Sequence, residues 1–183
     1  IVKRNGTVLT GLINNFYYEF MDSTGGDYIE SDKPVMLAQY TPGGNRCWNN
    51  SQFAYGDPEM FYLSPLEQGS KNVLFYATRK STIDYNYVHV ILPTAGLNSL
   101  RLDNVPFDPA NTRTHPNHPG YSVAVARKPG AAAQHRLTCD SIFTGTMYGI
   151  GYFESYGYNV GTFINNLNSY SELRNTYSTL ASD

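Results

Sequence analysis

Ser31-Asp32-Lys33-Pro34-Val35-Met36-Leu37-Ala38-Gln39-Tyr40 and, after a loop, Gly56-Asp57-Pro58-Glu59-Met60-Phe61-Tyr62-Leu63-Ser64-Pro65 are the stretches whose reading decides the fold. Ser31 to Pro34 reads as a turn, because proline fixes its own φ and removes a donor while Ser and Asp bond to nearby backbone. Val35 to Tyr40 then runs apolar on both alternate faces, which predicts a strand covered on both sides. Residues 41–56 are rich in Pro, Gly, Asn and Ser and read as a long loop. Met60 to Leu63 is a second all-apolar strand, stopped by Ser64-Pro65. Two neighbouring covered strands with a polar excursion between them are thus expected at the centre of the fold. They form a scaffold with no catalyst visible in it.

Outward from this pair, strand signals recur. Thr7–Ile13 and Asn15–Met21 are strand candidates separated by Asn14, the second alternating Phe16, Tyr18 and Phe20 against Tyr17 and Glu19. Lys71–Tyr76 follows, and Tyr85–Leu92 is the clearest case, with Val88, Val90 and Leu92 facing one way and Tyr85, Tyr87, His89 and Ile91 the other. A short strand is expected over Ser99–Asp103. Residues 108–120 hold three prolines and a glycine, so irregular surface loop is expected there. Tyr121–Arg127 sets Tyr and Val against Ser and Ala, a strand whose small-residue face another element crosses closely. Gln134–Cys139 and Ile142–Ile150 complete the set, the latter interrupted by Gly145 and Gly149, where close backbone approach is expected. After Gly161, Leu167, Tyr170, Leu173, Tyr177 and Leu180 fall at helical spacing. The fold class that results is all-β: a β-sandwich of mainly antiparallel strands with long loops over residues 1–165, and a short helix or linker over 166–183.

The chain has 183 residues, enough to close one core without metals or many disulfides. A net charge of −2 argues against tracking a phosphate backbone, and sixteen Tyr with nine Phe suit a strand-rich extracellular surface. No apolar run approaches the roughly 18 residues of a membrane helix, so no membrane insertion is expected. The sequence opens in mid-pattern at Ile1-Val2, as an excised or processed piece of a longer protein would.

Two cysteines leave two readings open. Cys47 and Cys139 form a bridge in an oxidising compartment, stabilising by about 2–4 kcal/mol, or they are unpaired thiols with Cys139 inward and inert. Asn5-Gly6-Thr7 and Asn49-Asn50-Ser51 match the N-glycosylation pattern, with Asn5 and Asn49 as acceptors, and Asp140-Ser141-Ile142 resembles a short O-glycosylation acceptor.

No catalytic residue and no cofactor is expected. His115-x-x-His118 lies in a loop without a third ligand, His135 begins a strand, and His89 suits a half-buried hydrogen-bonded imidazole, so no metal site is predicted. Asp22, Asp27 and Asp32 lack the spacing of a calcium loop and read as turn acids. Asp57 and Glu59 form an i, i+2 carboxylate pair of the kind a glycosidase uses, but in this turn, like Glu154 further on, they read as structural anchors. The side chains best suited to contact are Tyr148, Tyr152, Tyr156 and Tyr158, which can stack on sugars or pack against protein at small entropic cost. The competing reading points half of them into the core with a hydroxyl at the edge.

Taken in order, DKPVMLAQY (32–40), GDPEM (56–60), LSPLEQ (63–68), HRLTCDSIFTG (135–145) and YGIGYFESYGYNVG (148–161) resemble the IgGFc-binding-protein N-terminal-type domain. The likeness spans roughly residues 28–165 and is greatest to the Bacteroidetes-like surface version of that domain. It implies an extracellular or cell-surface β-rich module of adhesins or mucus-associated proteins, with no catalytic residue and no Fc-contact residue that carries over. The expected function is therefore non-enzymatic binding or adhesion, recognising protein or glycan, within a larger secreted or surface protein. A second reading is a subunit of an extracellular fibre, in which Thr7–Ile13 adds to the open sheet edge of a neighbouring copy. A carbohydrate-active enzyme is the third, and it would need an acid pair in a cleft.

Overall fold

A computed structural model describes residues 1–21, 25–41, 43, 55–80, 82–128 and 132–162. Three antiparallel assemblies make up the fold. The first is a three-stranded sheet of β1 (Val2–Arg4), β2 (Thr7–Val8) and β3 (Ile29–Ser31), in the order β2-β1-β3. Asn5 and Gly6 join β1 to β2 with φ of +52° and +81°, the left-handed pair that a two-residue hairpin requires. Thr7–Ile13 is thus a strand only at its first two residues, and those pair within their own chain. Asn15–Met21 forms no strand: Asn15 turns the chain at φ +67°, Phe16 N–H bonds Ile13 C=O at 3.1 Å, and Tyr17 stays 87% exposed. Its alternation describes a strand that finds no sheet among the described residues.

The second assembly is a ribbon of β4 (Ala38–Thr41) and β5 (Glu59–Tyr62), which pair antiparallel as the sequence leads one to expect. Its position does not match that expectation. Phe61 is buried, but Tyr40 is 70% exposed and Val35, Met36, Met60 and Tyr62 are exposed as well. The ribbon lies on the outside of the molecule, with only Phe61 reaching inward to Gly157. Among the described residues the ribbon pairs with no strand of the other sheets, and apolar composition alone does not reveal that.

The centre belongs to the third assembly: β6 (Ser70–Ala77), β7 (Ile83–Pro93), β8 (Arg101–Leu102), β9 (Val105–Pro106), β10 (Thr112–Thr114), β11 (Tyr121–Lys128), β12 (Ala133–Gly151) and β13 (Glu154–Asn159). β12 is one continuous strand rather than two, and it serves both layers. Its first half lies between β6 and β8, its second half between β7 and β13, and the register shifts between Thr138 and Phe143 where it turns from one layer to the other. One layer therefore runs β10-β11-β7-β12-β13 and the other β6-β12-β8-β9, as a curled all-β sandwich. β10 corrects the reading of 108–120 as wholly irregular, since Thr112–Thr114 pairs with Thr114↔Ser122 and its neighbours on β11. Pro109, Pro116 and Pro119 all fall outside these three residues, which form an edge strand of the layer.

Between the layers, Val88, Val90 and Leu92 from β7 meet Val73, Phe75 and Ala77 from β6 and Leu137, Phe143 and Met147 from β12. Each fully buried aliphatic side chain contributes about 1.5–3 kcal/mol relative to exposure, so this interface dominates the stability. Ser122 and Ala124, the small face of β11, are fully buried, as their size predicts. Cys139 is a free, buried thiol, with Ser99 Oγ at 3.2 Å and the Gly96 carbonyl at 3.4 Å. It is enclosed by the 94–99 turn. Cys47, Asn49 and Asp22, most of the 41–56 loop, and the proposed helix or linker at 166–183 lie outside the described residues.

Candidate functional site

The tyrosines near the chain's end separate by strand parity. β13 pairs Met147↔Tyr158 and Gly149↔Tyr156, which turns Tyr156 and Tyr158 inward against the core. Their rings stack at 6.2 Å, and their hydroxyls reach across to the edge of β6. Tyr158 Oη donates to Tyr76 C=O at 2.6 Å and accepts from Tyr76 N–H at 2.9 Å, while Tyr156 Oη accepts from Thr78 N–H at 3.2 Å and donates to Asn86 Oδ1. Asn86, itself buried, donates to Thr78 C=O at 2.9 Å. Side-chain hydroxyls thus replace a missing strand along the seam between the layers. Burial raises the pKa of both tyrosines, because a phenolate would be desolvated there.

Tyr148 points the other way, onto the outer face of the five-stranded layer. It lies opposite Tyr87, and the two rings stack at 5.1 Å with 15° between planes. His89 meets Tyr148 edge-on, its Nε2 3.3 Å from the hydroxyl, and burial, with a smaller effect of Arg113, holds the imidazole pKa below the ordinary 6.5. On the same face Arg127 sits 4.2 Å over the Tyr85 ring, and Tyr55 Oη bonds Asp84 at 2.9 Å. The sequence separates Tyr85, Tyr87 and His89 from Tyr148 by about sixty positions, and β-pairing brings them together.

Tyr152 lies beyond this face, at the tip of the β12–β13 hairpin. Gly151 pairs with Glu154, so Tyr152 and Phe153 are the whole two-residue connection, 51% and 60% exposed. Phe153 was not singled out by sequence reasoning, because the turn contains no Gly, Asn or Asp to announce it.

The acids are held at the main chain. Asp57 is tied through its main chain, its amide donating to Ser155 Oγ and its carbonyl accepting from Ser155 at 2.6 Å. Glu59 N–H bonds Thr41 Oγ1 at 2.9 Å, and Glu154 closes the hairpin opposite Gly151. Asn5 is equally engaged: its amide donates to Asp27 at 2.6 Å and accepts from Tyr28 N–H at 2.8 Å, so its side chain pins the hairpin to the following segment. Asp27 also takes two 2.8 Å bonds from Arg4, which lower its pKa below 3.8 against a smaller opposing effect of burial. The histidines are dispersed. His135 bonds Asp103 at 2.8 Å, His118 is stacked between Tyr28 and Tyr121, and His115 is buried against Gly26. Among the described residues no three His, Cys, Asp or Glu side chains converge as a metal site would need, and no helix is long and apolar enough to cross a membrane.

The arrangement presents an aromatic sheet face and an aromatic hairpin tip on a hydrogen-bonded frame. No curated protein and no solved structure matches this chain. A family model described as IgGFc binding protein matches residues 2–149, a span that ends within β12 and leaves the β12–β13 hairpin tip and β13 beyond it. The chain therefore belongs to the IgGFc-binding-protein family.

Proposed function

We propose that this chain is a non-enzymatic, extracellular binding module whose ligand is a protein. The observation that carries the reading is the membership in a family described as IgGFc binding protein, combined with large aromatic side chains that stand in solvent on a paired β frame. Exposed Tyr and Phe on a rigid support bring large contact area at small entropic loss, which is how protein interfaces acquire their central anchors. Asp57 and Glu59 sit on a turn and a narrow ribbon rather than opposite one another across a cleft, which favours binding over glycoside chemistry. Thr7 and Val8 pair with β1 along one edge, so the start of the segment that the fibre reading takes as donor already belongs to a sheet of its own chain.

The test is a biosensor titration of the purified chain against an IgG Fc fragment, run beside a glycan array. Saturable binding to the Fc fragment is the expected result. Binding to the array alone would replace the protein ligand with a glycan. Turnover of a polysaccharide that vanished in Asp57→Asn would overturn the non-enzymatic reading altogether.

A further inference from the structure

The geometry points to the Tyr152–Phe153 hairpin tip as the anchor of this module, inserting both rings into an apolar pocket on a folded protein partner. The inference rests on the protein-binding reading above and adds the place of contact and the chemistry of the surface that receives it.

Phe153 has φ of +52°. A bulky side chain is strained in that left-handed region, and the second position of such a turn ordinarily takes Gly or Asn. Strain of this kind persists where burial or a hydrogen bond repays it, yet the ring is 60% exposed. Among the described residues, burial does not repay the strain of a phenylalanine here. Tyr152 beside it is 51% exposed, its ring edge-on to Phe153 at 4.5 Å and 71°.

The backbone under the rings is rigid. Tyr152 C=O accepts from Thr82 Oγ1 at 2.7 Å, Gly151 C=O accepts from Gly56 N–H at 2.8 Å, and Tyr152 bridges to Tyr55. Gly151 itself is packed so tightly that a Cβ would stand 1.7 Å from the Thr82 carbonyl oxygen. The tip is therefore held in place before any partner arrives, and little ordering remains to be done on binding.

A protein pocket fits this shape better than a sugar. Stacking on a pyranose calls for a flat ring platform with polar groups at its rim, whereas two rings set nearly perpendicular on a convex turn make a plug. Phe153 offers no hydroxyl to a glycan. The partner surface is accordingly a concave apolar site, of the kind that receives aromatic hot-spot residues.

Phe153→Asn removes the ring and keeps a residue that tolerates positive φ, and Tyr152→Ala removes the second ring. Both variants and the wild-type chain are titrated against the Fc fragment and the glycan array, with melting temperature recorded alongside. The expected result is wild-type binding to the Fc fragment, a loss of at least about tenfold in each variant, and a Phe153→Asn melting temperature equal to or above wild type. Wild-type binding that both variants retain overturns the tip while leaving the binding module intact. Glycan binding lost in the variants, without Fc binding, overturns the protein partner. A wild-type chain that binds neither probe overturns the binding reading and this inference with it. A melting temperature lowered by more than about 4 °C in Phe153→Asn shows that the ring serves the fold, and overturns its assignment as an anchor.

Discussion

Protonating His115 would remove a hydrogen bond that the fold depends on. Its Nδ1 accepts from the Asn117 amide at 3.2 Å, and the ring, 7% exposed, lies against Gly26 of the N-terminal segment. Burial is the main reason its pKa falls below 6.5, helped by His118 in the same loop and Arg113 on β10; a hydrogen bond to the Asp27 main chain and the Asp27 carboxylate, already held by Arg4, oppose this. The unfolded chain therefore takes up the proton first as pH drops. The stabilisation is whole above about pH 6.5 and is lost progressively below it. Urea unfolding should accordingly show a lower midpoint at about pH 5.5 than at about pH 7.5. His115→Asn, whose Oδ1 can accept from the same amide and does not titrate, should reduce that difference; the remainder belongs to His89, which is lowered for the same reason. An undiminished difference would remove His115 from the explanation. Tyr158→Phe tests the seam from the other direction. Losing a hydroxyl that bonds both Tyr76 main-chain groups should cost about 1–2 kcal/mol in denaturant titration with little change elsewhere, and no loss would mean water serves equally well.

Among the elements, β7 and β12 govern the architecture, and they were unequally legible. Tyr85–Leu92 announces itself by strict alternation, and Val88, Val90 and Leu92 are all fully buried. The pattern over β12 reads as two strands, Gln134–Cys139 and Ile142–Ile150, and the Asp140 and Ser141 between them lie in the register shift where the strand passes between layers. A local pattern cannot distinguish a bulge inside a strand from a break between two. The covered pair at 35–40 and 60–63 failed for a related reason. Its pairing register is local information, but its place at the periphery depends on which other strands claim the centre. Gly149 was legible as a site of close approach: a Cβ there would lie 2.2 Å from Tyr156 Cε1 and 2.7 Å from Asn86 Oδ1. Gly149→Ala should therefore destabilise by about 1–3 kcal/mol through overpacking of the seam. Gly120→Ala, where no atom stands within 4 Å of an added Cβ, is the matched control and should be near neutral in the same thermal melts.

For the molecule as a whole, the sequence motifs carried the family and the all-β class, while the tyrosine site was only half visible. Tyr148, Tyr152, Tyr156 and Tyr158 lie close together in the chain, yet pairing sends two of them into the seam, one onto the sheet face and one to the hairpin tip. The parity of β13 decides this, and parity was unknowable until the position of the turn was known. The proposed contact is a preformed aromatic tip that this frame holds out to a protein partner. Heteronuclear NMR of the labelled chain during titration with an unlabelled Fc fragment tests it most directly. The predicted result is amide perturbation concentrated at residues 150–156 and their neighbours at 82–84, with the β7 and β12 core amides unmoved. Perturbations centred elsewhere, or none at saturating Fc, would contradict it.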